Sequence, residues 1–191
     1  TILTALACEN ELGALFLDAG FTRGARMIEM SGPVPAEVAP AGGHWVSYIP
    51  ERRLRFANAF YRTLESSLDF PELPASGHPA RLMRAFERRG SHESGDFALL
   101  EVSGQTAGIV LLAMAGSSLE VAYMGLLPAY RGKGLSGFLM ERAFERAKAR
   151  GAQTLHLTVD ERNLPAVALY GKYGLREKRA VCVYYRVEKK S

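Results

Sequence analysis

The sequence predicts an α/β fold: a mixed, mostly antiparallel sheet flanked by helices and preceded by an N-terminal β-α-β segment. Three observations carry this. From Phe97 to Leu127 the apolar, β-rich runs "FALLEVSG", "TAGIVLLAMAG" and "SLEVAYMGLL" are separated only by Ser-Gly and Gly-Ser-Ser, and connections that short join antiparallel strands. After Pro128 the apolar period becomes helical, with Leu135, Phe138, Leu139, Ala143 and Ala147 on one stripe that stops before Gly151. Finally, residues 154 to 187 read strand, helix, glycine stop, strand, and so do residues 1 to 33.

Sliding the chain on itself by 154 residues exposes this last relation. Leu3 falls on Leu157, Thr4 on Thr158, Ala14 on Ala168, Leu15 on Leu169, Phe16 on Tyr170 and Gly20 on Gly174. Duplication accounts for the match, and so does the grammar shared by any two β-α-β units. The Pro/Gly-rich "SGPVPAEVAPAGG" behind the first unit reads as a linker. The expected organisation is therefore a segment at 1–33, a linker at 34–43 and the main domain at 44–191.

Within the main domain, "HWVSYIP" reads as a first strand. A helix from about Glu51 to Leu68 follows, with Leu54, Ala57, Tyr61, Leu64 and Leu68 as its apolar stripe. "SSLDFPELP" breaks that helix, and a second one covers Pro79 to Arg89. In the helix after Pro128, Arg146, Lys148 and Arg150 suit the C-terminal dipole. "TLHLTV" is a strand, "NLPAVALYGKYG" a helix capped by Asn163 with Pro165 in its first turn and Gly174 as its stop, and "AVCVYYRV" the closing strand.

Composition bounds the function. The 191 residues, 48% hydrophobic and 23% charged, suit one packed domain. A net charge of +4 is a mild lean, and the clusters Arg52, Arg53, Arg55 and Arg81, Arg84, Arg88, Arg89 read as solvated helix faces rather than a nucleic-acid footprint. A basic mouth for a small anionic ligand explains them equally well. Cys8 and Cys182 lack CxxC or metal-ligand spacing, so neither a disulfide framework nor a metal site is expected, and a reducing cytoplasm fits. His44, His78, His92 and His156 show no pairing pattern. No apolar run approaches the ~20 residues of a membrane span.

The chemistry concentrates in "RGKGLSG", residues 131 to 137. Gly132, Gly134 and Gly137 fit G-x-G-x-x-G, while Arg131 to Ser136 nearly fits R-x-x-G-x-G/A. Both patterns put glycines and a helix N-terminus against phosphate. The dinucleotide reading fails on context: Pro128 to Arg131 separate the glycines from the strand, the preceding strands are hairpins, and no second mononucleotide half follows.

"MGLLPAYRGKGLSGFLMERAFERA" followed by "LTVDERNLPAVALYGKYGL" resembles two adjacent motifs of the GNAT superfamily of acyl-CoA N-acyltransferases. The joint match covers residues 121 to 175. The resemblance implies acetyl-CoA as cosubstrate and an amine as acceptor; from composition and spacing no metal and no nucleic-acid or membrane partner is expected, and a homodimer is left open. It implies that Leu126 and Leu127 pair their backbone with the pantetheine arm. Arg131, Gly132, Lys133, Gly134, Leu135 and Ser136 would cradle the pyrophosphate, with Ser136 departing from the usual Gly or Ala. Asn163 would contact the pantetheine region, besides capping its helix. Tyr170 would protonate the departing thiolate, and the matching Phe16 cannot. Glu120, placed by strand parity with Leu126, is the candidate proton acceptor. Asp69 and Glu72 lie where relatives line the acceptor pocket. A non-catalytic acyl-CoA sensor of the same fold is the alternative.

Overall fold

The computed structural model describes residues 2–7, 11–69, 71, 79–89 and 91–187. The elements run β1 (Ile2–Ala7), α1 (Glu11–Asp18), β2 (Thr22–Pro33), β3 (His44–Ser47), α2 (Arg53–Leu64), α3 (Pro79–Glu87), β4 (Phe97–Val102), β5 (Gln105–Ala115), β6 (Ser118–Leu126), α4 (Ser136–Ala149), β7 (Thr154–Asp160), α5 (Leu164–Lys172) and β8 (Arg176–Val187). The strands form one eight-stranded sheet in the order β1-β8-β2-β7-β6-β5-β4-β3. Neighbours pair antiparallel except β6 and β7, which are parallel.

Local chemistry sets the connections. Ser103 and Gly104 both adopt positive φ, the conformation of the two-residue turn that best matches the twist of a hairpin, here β4–β5. Helix α2 starts behind a 3-10 turn at Pro50–Arg52. It ends at Leu64, short of the expected Leu68, and Ser66 follows at φ +53°. Its buried face is Phe56, Ala57, Phe60 and Thr63, while Leu54 and Leu68 are exposed. The sequence stripe had followed one flank of the helix instead of its centre.

The sheet separates two cores. On one side α4 lays Leu139, Met140, Ala143 and Ala147 against Val110, Leu112, Leu155 and Leu157, with Tyr170 of α5 at the margin. On the other, Phe56 and Phe60 of α2 and Met83 of α3 pack on Phe97, Leu99, Ile109 and Leu111. Each such large side chain contributes about 1.5–3 kcal/mol by leaving water. The fully buried Asp96 carboxylate ties the first layer to the start of β4 by accepting from Arg146, Arg150 and the Glu93 backbone.

The N-terminal segment is integral to the sheet. β2 lies between β8 and β7, pairing with β7 from Met27–Asp160 to Pro33–Thr154. Along β2 and β8, Met27 stands opposite Val181, its own counterpart 154 residues later, and Arg26–Cys182 and Ile28–Ala180 flank that pair. A pseudo-twofold axis thus passes between Met27 and Val181. The strand order β1-β8-β2-β7 is the one this symmetry requires, because exchanging β1 with β7 and β8 with β2 only reverses it. The expected linker is also packed: Val34 donates to Gln153 O, and Val34 and Val38 contact the α4-side core.

Removing residues 1–33 strips β7 of its long antiparallel neighbour and β8 of both of its neighbours. The truncated chain should lose its cooperative thermal transition by circular dichroism. An unchanged melt would show that β2 is dispensable.

Candidate active site

The site exists because β6 and β7 part company. Their parallel pairing covers only Ser118–Thr154, Leu119–Leu155 and Glu120–His156. Beyond it β6 stays with β5 and β7 stays with β2. The gap opens into a cleft of about 570 Å³ lined by Met124, Gly125 and Leu126 of β6 and by Asn163, Leu169 and Tyr170 at α5.

Backbone polarity at this gap is decided by the β5–β6 ladder. Leu127 N–H donates to Ala107 O and Leu127 O accepts from Tyr130. Groups alternate sides along an antiparallel pair, so Met124 and Leu126 direct their N–H and C=O toward the gap. For the expected pairing of an extended ligand, Leu126 offers its N–H, while its carbonyl already accepts from Arg131. Leu127 offers neither, because both backbone groups are engaged and the side chain is buried. Met124 takes its place, and ladder alternation was the sequence signal for it.

The glycine loop meets the requirements of an anion cradle. Gly132 and Gly134 have φ of +71° and +78°, with open space where a Cβ would stand. No described residue takes the N–H of Gly132, Lys133, Gly134, Leu135 or Ser136. No described side chain caps α4, and Gly132 and Ser136 at its start are part of the cleft wall, so the positive end of the helix dipole lies at the cleft. Arg131 differs from expectation: its N–H goes to Pro128 O. Its guanidinium donates to Leu126 O, Ser66 O and Thr63 O at 3.1, 3.0 and 2.8 Å. Arg131 is therefore a latch between the end of β6 and the segment after α2.

That segment brings Asp69 to the cleft. Ser67 Oγ accepts from Asp69 N–H, and Asp69 Oδ1 accepts from Asp160 N–H at 2.7 Å. Burial raises the Asp69 pKa, Asp160 nearby adds to the rise, and the Asp160 hydrogen bond opposes it. Tyr123, which the sequence reading had not singled out, shares a 2.7 Å hydrogen bond with Thr63. Burial pushes its phenol up to about 12, the Thr63 bond and Arg131 opposing and Asp69 assisting. Gly125 permits this arrangement: a Cβ there would stand 2.9 Å from the Tyr123 hydroxyl and 3.0 Å from Thr63 Cβ. Glu72 lies outside the described residues.

Tyr170 is 7% exposed and lines the cleft. Burial, then the Asp69 charge and Tyr123, push its phenol well above the ordinary tyrosine value, so it stays protonated. Asn163 caps α5 by accepting from Ala166 N–H and also lines the cleft. Glu120 is misplaced by the parity argument. The register slips between Leu111–Tyr123 and Leu112–Val121, and this bulge at Ala122 reverses the alternation, so Glu120 shares the Tyr123 face and not that of Leu126. It pairs through both carboxylate oxygens with Arg89 and is not among the cleft residues.

Among the described residues no group of three His, Cys, Asp or Glu is placed to hold a metal ion, and no helix is long and apolar enough to cross a membrane.

The chain belongs to the acetyltransferase (GNAT) family, whose profile matches residues 58–175. An acetyltransferase of Pectobacterium atrosepticum is 33% identical over 86 residues, 45% of this chain and 61% of that protein. Among solved structures, the GCN5-related N-acetyltransferase of Sphaerobacter thermophilus superposes with a TM-score of 0.68 at 18% identity, covering 97% of this chain and 59% of that one. The GCN5-related N-acetyltransferase of Kribbella flavida gives 0.60 at 18% identity, covering 98% and 69%. The chain thus spans about three fifths of the length of the first two.

Gly134→Val puts a β-branched residue at a φ that costs L-residues roughly 1–2 kcal/mol and turns the loop N–H groups away. Calorimetry should show coenzyme A binding weakened about tenfold or more in a variant that still melts cooperatively. Undiminished affinity would remove the loop from the site.

Proposed function

We propose that the protein transfers an acetyl or short acyl group from acyl-CoA to an amine. The observation that carries this reading is the convergence on one cleft of the β6–β7 gap, the free N–H groups of the 132–136 loop and the protonated Tyr170 phenol. The residues fit the cosubstrate in each part. The loop and the α4 N-terminus would hold the diphosphate. Met124 and Leu126 would add the pantetheine arm to the sheet edge as a short extra strand. Acyl-CoA supplies the thioester carbonyl.

The protein's part is to bind, orient and move protons. Asn163 and Tyr170, seven residues apart, lie nearly two turns apart on one face of α5. Both therefore look into the gap. An amine attacking the carbonyl forms the C–N bond, and the C–S bond breaks as the Tyr170 hydroxyl donates to sulfur. The raised pKa of Tyr170 keeps the donor loaded, and the same low-polarity surroundings raise the basicity of the thiolate that receives the proton.

Calorimetry with coenzyme A and with NAD, and a mass-spectrometric screen of amines with acetyl-CoA, test the reading. Coenzyme A should bind and NAD should not. Binding without acylation of any amine would support the sensor alternative instead. Tyr170→Phe keeps the ring and removes the donor, so kcat with the best amine should fall about ten- to a thousandfold. Acetyl-CoA affinity and melting temperature should barely move. Full activity would assign protonation to another group, and parallel losses in binding and rate would make Tyr170 a packing residue.

A further inference from the structure

We propose that the Tyr123 hydroxyl oxygen is a fixed hydrogen-bond acceptor for the attacking nitrogen, so that the acyl acceptor is a primary amine and the product a secondary amide. This inference deepens the acyl-transfer reading above and rests on it.

The direction of the Tyr123 hydrogen bond follows from its partner. Thr63 Oγ stands 2.6 Å from Phe60 O and 2.7 Å from the Tyr123 oxygen. A carbonyl cannot donate, and two oxygens that close need a hydrogen between them, so the single Thr63 hydrogen goes to Phe60 O. The hydrogen of the second bond must then come from Tyr123. Burial pushes the Tyr123 phenol up to about 12, so that hydrogen is in place at neutral pH. With its hydrogen directed at Thr63, the Tyr123 oxygen offers a ligand lone pairs alone. The ring is held by aromatic neighbours, Phe60 edge-on at 4.5 Å and Phe86 tilted at 6.3 Å.

The oxygen lies over Gly125, where a Cβ would come within 2.9 Å of it, and both residues line the cleft. On the acyl-transfer reading, an arm leaves the 132–136 loop and runs along Leu126 and Met124 at about 3.3 Å per residue. Its acyl end then comes beside Tyr123. Tyr170 is close enough for Tyr123 to act on its ionisation, after burial and Asp69. The thioester is thereby placed between an oxygen that accepts and a hydroxyl that donates.

A neutral primary amine points its lone pair at the thioester carbon and keeps two N–H groups. One donates to Tyr123 and stays on nitrogen as the hydrogen of the product amide. The other proton leaves nitrogen as the C–N bond forms and the C–S bond breaks, and it replaces the proton that Tyr170 gives to sulfur. Amine and thioester thus yield secondary amide and thiol with no net proton. A secondary amine carries only the N–H that must be lost, so its product leaves the Tyr123 lone pair unmet.

The probes are the primary amine acylated fastest in the screen, its N-methyl derivative, and the N-acetyl product of each. Tyr123→Phe keeps the ring and removes the oxygen. It should lower kcat/KM for the primary amine about three- to tenfold, the size of one neutral hydrogen bond, and leave the N-methyl amine within about twofold. In NMR titrations of the coenzyme A-loaded wild-type protein, the secondary amide should bind about three- to tenfold more tightly than the tertiary amide, and Tyr123→Phe should erase the difference. A preference that persists in Tyr123→Phe would be steric exclusion of the methyl group and would overturn the proposal, as would equal affinities in the wild type. Weakened acetyl-CoA binding with the amine ratio intact would put the oxygen on the cosubstrate and overturn it too. If the wild-type protein acylates no amine, the acyl-transfer reading fails. N-butylacetamide and its N-methyl derivative then serve as the amides: a preference for the first that Tyr123→Phe erases supports the Tyr123 assignment by itself, and equal or absent binding overturns it as well.

Discussion

The site depends on one strand having only two edges. β7 gives three residues to β6 and seven to β2. A strand committed to β2 along its C-terminal half is free to diverge from β6, and the divergence is the cleft. Divergence would ordinarily leave unpaired backbone groups in the middle of a sheet, which is costly unless something pairs with them. At Met124 and at the Leu126 N–H these groups face a cleft that solvent can enter, and the Leu126 carbonyl accepts from the Arg131 guanidinium. The opening is an edge created inside the sheet.

A second set of contacts fixes what stands on either side of that edge. Arg131 starts the glycine loop in sequence, but its side chain reaches back to the carbonyls of Thr63 and Ser66. The glycine loop and the segment that carries Asp69 are thus held by one guanidinium, and Asp69 in turn holds the start of the β7–α5 turn through Asp160 N–H. Hydrogen bonds from a charged donor are worth about 1.5–3 kcal/mol when removed. Three of them on one side chain make the latch a strong local constraint.

Periodicity made most of the fold legible. The hairpins from Phe97 to Leu126, helix α4, and the β7–α5–β8 unit follow from alternation, turn residues and caps, which are local. The 154-residue repeat was legible too, and the structure gives it meaning in the Met27–Val181 pair. Three features escaped. The centre of the α2 stripe was misjudged because Leu54 and Leu68 are as apolar as Phe56 and Phe60, and only the facing sheet decides which side is buried. The bulge at Ala122 inverted the parity argument for Glu120, since a one-residue insertion in a ladder leaves no mark on a stretch as uniformly β-prone as "EVAYMGLL". The Arg131 latch joins residues more than sixty positions apart and has no local signature.

The two repeat units show how little of the sequence a sheet requires and how much a site does. β1, β2, β7 and β8 obey the pseudo-twofold order through backbone pairing, which tolerates almost any β-prone side chain. The helices diverge in use. Tyr170 turns a hydroxyl into the cleft, whereas its counterpart Phe16 stacks on Tyr184 with centroids 5.4 Å apart and meets Phe21 edge-on at 5.3 Å. Leu169 packs against the core at the cleft wall, whereas its counterpart Leu15 is 62% exposed. The first unit therefore contributes geometry, by holding β7 and β8 where the gap opens, and the second carries side chains that line the cleft. Because β2 acts through its backbone ladder and the role proposed for Tyr170 lies in one oxygen atom, damage to the two should separate cleanly: the first as loss of the fold, the second as loss of rate in an intact one.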